Sequence, residues 1–183
     1  FRVLISCLLS LRTNDRTTAD AVKRLFEVAD TPAGLLRIPL TRIEKLIYPV
    51  GFYRVKAKLM HTVSKGILDK YDGKVPATIE ELLELKGVGR KTANLVVTEG
   101  HNKPAICVDV HVHRITNRLG FVKTKNPHET EFALRKKLPK RHWRRINDLL
   151  VAFGQHHCRP LSPHCSSCKV NYLCERKGVK SNR

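Results

Sequence analysis

Apolar residues recur along the chain at spacings of three and four, and alternation of apolar and polar positions never persists long enough to build a strand. Residues 1–10 form a run apolar enough for a buried helix. Residues 17–29 carry Ala21, Val22, Leu25, Phe26 and Val28 on one side of a second. Thr31-Pro32 reads as an N-cap with proline at the first helical position. Ile43, Leu46 and Ile47 follow, and Pro49 and Gly51 stop that segment. Residues 54–71 make a long amphipathic helix, turned by Asp72-Gly73. Thr78 with Glu81 three residues on is a capping box. Later helices are expected over 90–99, 110–119, 127–138 and 141–153, the last ended by Gly154. The pattern predicts an all-α protein with no low-complexity linker and no long-period repeat.

One interruption stands out: Leu85-Lys86-Gly87-Val88-Gly89-Arg90-Lys91-Thr92-Ala93 joins two helical stretches through Gly-Val-Gly. Glycines on both sides of one apolar residue allow a tight turn that a Cβ would obstruct. The N–H groups of that turn and of the next helix's first residues then point outward together, a seat for phosphate that reads no base. This is the logic of a helix-hairpin-helix, although a plain helix–turn–helix connection can use the same glycines.

Charge adds weight to the phosphate reading. Lys plus Arg total 35 against 16 Asp plus Glu among 183 residues, a net charge of +19. Self-repulsion of that size suits a polyanionic partner, with nucleic acid the first candidate. No dominant basic amphipathic helix is available to lie on an anionic membrane, and the apolar start is too short to span one. With 42% hydrophobic residues the chain is globular and long enough for one good core or two small ones. The segment RKKLPKRHWRR, residues 135–145, reads equally as a solvated helical face or a DNA track.

Cysteines carry the next signal. Cys158, Cys165, Cys168 and Cys174 form a C-x6-C-x2-C-x5-C run. Nothing resembles a secretory signal, which disfavours disulfides. Zinc sites usually pair two short knuckles and this run has only one, while a single compact loop suits an iron–sulfur cluster at least as well. His156 and His157 are neighbouring candidates for zinc, but four thiolates already complete a site. Cys7 and Cys107 sit in apolar runs and read as core residues.

In order, LLSLRTND, YPVGFYR, LKGVGRKTAN, the Pro104-containing stretch with VDVHVHR, and the cysteine tail resemble the endonuclease III family. These are DNA glycosylases of the helix-hairpin-helix superfamily. The resemblance covers essentially the whole chain. It implies a two-lobed all-α fold: residues 1–103 as a six-helix barrel domain with the hairpin, and 104–183 as the cluster domain. A substrate pocket would lie between the lobes. The family's first helix lies upstream of Phe1, so truncation or disorder is expected there. Further implications are one [4Fe–4S] cluster on the four cysteines, a monomer acting on duplex DNA with damaged bases or abasic sites, and an intracellular, DNA-associated location.

Roles follow residue by residue. Lys91 reads by itself as one more phosphate-binding lysine. The resemblance makes it the nucleophile that attacks the deoxyribose C1′, expels the base and then serves as the lyase amine. An amine must be neutral to attack; the positive helix end, Arg90 and burial under a flipped nucleotide favour that form. Asp109 reads as an N-cap for the helix opening at Val110. By resemblance it also stabilises positive charge on the sugar and assists proton transfer. Gly87, Val88, Gly89 and Arg90 are expected at phosphate, with Arg159 and His164 of the loop between the first two cysteines. Phe52 takes the place of an aliphatic wedge, and Arg12 that of a glutamine facing the orphaned base.

The expected activity is removal of oxidised pyrimidines and cleavage 3′ of the abasic site by β-elimination. Two alternatives stand beside it. A mismatch glycosylase acting on thymine, uracil or adenine is disfavoured because monofunctional relatives generally lack a lysine at this place. A non-catalytic DNA-binding module stapled by zinc would show neither lyase activity nor iron.

Overall fold

The computed structural model describes residues 1–183, which fold into ten α-helices and no β-strand. The chain divides into two compact units, Phe1–Lys103 and Pro104–Arg183.

The first unit holds seven helices: α1 Arg2–Ser10, α2 Asp15–Phe26, α3 Pro32–Leu36, α4 Leu40–Ile47, α5 Tyr53–Tyr71, α6 Ile79–Glu84 and α7 Arg90–Leu95. Polar caps start several of them. Asn14 Oδ1 accepts from Thr17 N at 2.8 Å and Thr31 Oγ1 from Gly34 N at 3.1 Å. At α6, Thr78 Oγ1 accepts from Glu81 N at 3.3 Å. The same hydroxyl donates to Glu81 Oε2 at 2.6 Å, so this box closes side chain to side chain. Leu4, Ile5, Leu8 and Leu9 of α1 are fully buried, with Met60 and Ile67 of α5, Leu35, Ile43 and Ile47. Each such side chain contributes about 1.5–3 kcal/mol through the water it leaves.

Two expectations are corrected in this unit. The stripe through Val28 overshoots: α2 ends at Phe26 and Val28 is exposed. Val28 N bonds Leu25 O at 3.1 Å, an i→i+3 bond that tightens the last turn and swings Val28 off the buried face. The helix expected over 90–99 is α-helical only to Leu95, after which Val96–Gly100 continues as a wider π turn.

In the second unit, residues 104–109 run without helix and lead into α8 Val110–Arg118, α9 Pro127–Lys137 and α10 Ile146–His156. Ile106, Val108, Val112, Val122, Leu134 and Trp143 make its core. Trp143 Nε1 donates to Leu138 O at 2.7 Å. Arg135 and Lys140 stand 5.3 and 5.9 Å from the Trp143 ring centroid, so part of the basic 135–145 segment is used in packing.

Gly154 does not end α10. It is buried inside the helix, where a Cβ would run into the His111 ring and lie 2.9 Å from Arg114 Nη2. Its missing side chain admits α8; termination waits for His157. The start also differs: Lys140–His142 is a 3₁₀ turn and the α-helix opens at Ile146.

Candidate functional site

The hairpin is built from opposite demands on its two glycines. Gly87 has φ +90°, and a Cβ there would strike Leu59 Cδ1, so the fold itself requires glycine. Val88 is buried and anchors the turn, its N–H donating to Leu85 O at 3.0 Å. Gly89, the N-cap of α7, has an ordinary φ of −93°, and nothing lies within 4 Å of a Cβ built on it. The fold does not need glycine at this second position. What its absent side chain provides is an unobstructed approach to the backbone N–H groups that open α7.

Lys91 follows in the first turn of α7 and is exposed. Cys7 of α1 lies near enough to feel it: burial pushes the Cys7 thiol up to about 11, and the Lys91 charge acts against that rise. Asp109, half-buried in the second unit, caps α8. Its Oδ1 accepts from His111 N and Val112 N, both at 2.9 Å, leaving Oδ2 outside the cap.

Arg12 and Phe52 come together from two loops of the first unit. Both adopt left-handed backbone, φ 55° and 58°, costly for residues with a Cβ. Phe52 is 61% exposed, and the Arg12 guanidinium lies 5.8 Å from its ring centroid. Beneath them sits Lys56, which sequence reasoning missed because a lysine in an amphipathic helix reads as surface. It is only 5% exposed. Its Nζ donates to Leu9 O at 2.8 Å, Leu11 O at 2.5 Å and Thr13 Oγ1 at 3.1 Å. Burial lowers its pKa from the ordinary lysine value.

Cys158, Cys165, Cys168 and Cys174, all half-buried, line one cavity with His157 and His164. No three His, Cys, Asp or Glu side chains stand close enough to share a single metal ion. Tetrahedral zinc bonded at 2.3 Å would draw its sulfurs to about 3.8 Å of one another. The four thiols line the same cavity without meeting that spacing. N–H donors already face the sulfurs: Arg118 Nη1 reaches Cys158 Sγ at 3.5 Å and Arg176 N reaches Cys174 Sγ at 3.4 Å.

Arg118 also donates to Arg159 O and Pro160 O, both at 2.6 Å, and Arg114 Nη2 donates to Cys158 O at 2.9 Å. These two arginines were not singled out from the sequence; their four-residue spacing on one helix face is the signal that could have found them. They hold the backbone of the loop that begins at Cys158. Arg159 is exposed, whereas His164 is half-buried with its ring tilted 5.9 Å from that of His157.

Comparison with known proteins places this geometry. The model of the HhH-GPD superfamily base excision DNA repair protein matches residues 5–140. Endonuclease III of Thermotoga maritima is 50% identical over 175 residues, spanning 96% of this chain and 82% of that protein. Endonuclease III homolog 2, chloroplastic, of Arabidopsis thaliana is 48% identical over 95% of this chain, which spans only 47% of the plant protein. A solved structure of a trapped endonuclease III–DNA covalent intermediate matches with a TM-score of 0.88 at 40% identity, covering 95% of this chain and 82% of that one. No helix of the chain is long and apolar enough to cross a membrane. Sequence and fold agree: the chain belongs to the HhH-GPD superfamily of base excision DNA repair proteins, in its endonuclease III family.

Proposed function

We propose that the chain is a bifunctional DNA glycosylase and AP lyase that removes oxidised pyrimidines from duplex DNA. The observation that carries this reading is an exposed amine, Lys91, in the first turn of α7 directly behind a hairpin whose second glycine leaves the helix N-terminus open. The N–H groups of Gly89 and Arg90 seat a backbone phosphate beside the target nucleotide. A base in the stack is out of reach of any side chain, so the nucleotide is flipped out, at a cost of a few kcal/mol.

Lys91 Nζ then attacks C1′, the N-glycosidic bond breaks, and the base leaves with the bonding pair and takes up a proton. The amine linked to C1′ opens the sugar to a Schiff base, which acts as an electron sink. Loss of a C2′ proton expels the 3′ phosphate by β-elimination, and water releases Lys91. Asp109 supplies the carboxylate that stabilises positive charge on the sugar and carries the proton shed by the lysine. Its cap occupies Oδ1, so Oδ2 is the oxygen available for that work. Arg159 and His164 are further phosphate contacts. Phe52 fills the gap left by the flipped base, and Arg12, a pure donor, favours a guanine opposite the lesion through O6 and N7.

The four cysteines hold one [4Fe–4S] cluster, which supplies no step in this electron-neutral chemistry. Its ligands tie the segment 158–174 together, and Arg118 and Arg114 fasten that segment to α8.

Borohydride reduction tests the nucleophile. The protein should be trapped covalently on duplex DNA carrying an abasic site, with the adduct at Lys91. Lys91→Gln should abolish trapping and strand cleavage while retaining duplex binding; trapping that survives the substitution would assign the reaction to another amine.

A further inference from the structure

Lys56 lies outside every motif the function absorbed and Thr13 has no assigned role within its own, yet together they join the two loops that carry Arg12 and Phe52. The Thr13 hydroxyl accepts from Lys56 Nζ at 3.1 Å and from Gly51 N at 3.1 Å. It is thus the link between the end of α1 and the turn that precedes α5. Lys56 completes the junction by binding the carbonyls of Leu9 and Leu11, where α1 ends and its dipole favours a cation. Gly51 closes it sterically, since a Cβ there would lie 2.8 Å from Arg12 O.

The energetics make this an unusual place for a lysine. It is almost fully buried, and it stands in the first turn of α5, where the helix end is positive. A methionine of similar length would fill the same space without a charge to desolvate. What the ammonium adds is direction: three donors in fixed positions, two on the Arg12 side and one through Thr13 to the Phe52 side. Four residues are thereby set in register, two of them in left-handed backbone that unpaired loops would relax.

We propose that Lys56 and Thr13 are positioning residues that fix the joint orientation of Arg12 and Phe52, and so set which base opposite the lesion is accepted. This rests on the reading of Arg12 and Phe52 as the pair that probes the duplex. Neither Lys56 nor Thr13 touches DNA in this account; each acts through the loop it holds.

The test uses a ratio that folding cannot move. Single-turnover rates of thymine glycol removal are measured opposite guanine and opposite adenine in wild type, Thr13→Val, Thr13→Ser, Lys56→Met and Arg12→Gln. A partly unfolded preparation loses both rates equally, and the guanine-to-adenine ratio is unchanged. Thr13→Val keeps the shape of threonine and removes the hydroxyl that accepts from both Gly51 N and Lys56 Nζ; it should pull the ratio toward one by at least about fivefold, the effect of losing the neutral Gly51 bond alone. Thr13→Ser should restore the wild-type ratio, and Lys56→Met should match or exceed Thr13→Val. If Arg12→Gln shifts the ratio and Thr13→Val and Lys56→Met do not, the positioning role is wrong and the loop reading stands. If wild type shows no preference, or Arg12→Gln leaves it untouched, the loop reading fails and this inference with it.

Discussion

The two hairpin glycines should respond oppositely to the same added methyl group. In Gly87→Ala the new side chain must adopt φ near +90°, at a cost of about 1–2 kcal/mol for an L-residue. It also collides with Leu59 Cδ1, and moving that half-buried side chain off its rotamer adds about 0.5–1.5 kcal/mol. Loss of glycine's freedom in the unfolded chain offsets about 0.4–1 kcal/mol. The net is a destabilisation of about 0.5–3 kcal/mol, or roughly 1–12 °C in Tm for a chain of this size. Gly89→Ala meets no atom within 4 Å and needs no unusual φ. Its unfolded-state gain opposes alanine's weakness as an N-cap, leaving stability within about 1 kcal/mol of wild type. Its methyl, however, occupies the face where a phosphate must approach the α7 N–H groups. Loss of one charge-assisted hydrogen bond, about 1.5–3 kcal/mol, weakens binding about 10- to 100-fold. Thermal melts followed by far-UV circular dichroism, and anisotropy of a labelled undamaged duplex, read the two effects separately. Wild-type affinity in Gly89→Ala would show that these N–H groups are not the phosphate seat, and a large fall in its Tm would show that the open space beside Gly89 has been misread.

Asp109 carries two roles that substitution separates. Asp109→Asn keeps the α8 cap, because asparagine caps as well as aspartate, and should slow base removal with little change in Tm; Asp109→Ala should also lose about 0.5–2 kcal/mol of stability. Equal base-removal rates in wild type and Asp109→Asn would leave Asp109 as a cap alone. Purified protein should be yellow-brown with about four irons per chain, and a colourless folded protein carrying one zinc would refute the cluster assignment. Affinity for undamaged duplex should fall steeply with salt, since each neutralised phosphate contributes a slope of about −0.9 in log–log form; a flat plot would assign the +19 charge to something other than DNA.

Features governed by a few consecutive residues were readable in the chain itself. Thr31, Thr78 and Asp109 cap helices because a side-chain oxygen meets an N–H two or three positions on, a contact that needs no distant partner. The hairpin turn is readable for the same reason, since the spacing of its glycines is part of its geometry. What lay beyond the sequence depends on which distant segment arrives. Gly154 looks like a helix stop until the His111 ring lies against it, and Val28 looks like core until an i→i+3 bond turns it outward. Gly87 and Gly89 are indistinguishable as letters; Leu59 beside one and empty space beside the other separate them. Lys56 is the clearest case: its acceptors lie 43 to 47 positions away, and only the packing of α1 against α5 turns a surface-type residue into a buried cation that holds two loops. Local hydrogen bonding determines where helices begin. Burial, and the partners that make burial tolerable, are decided by the tertiary fold.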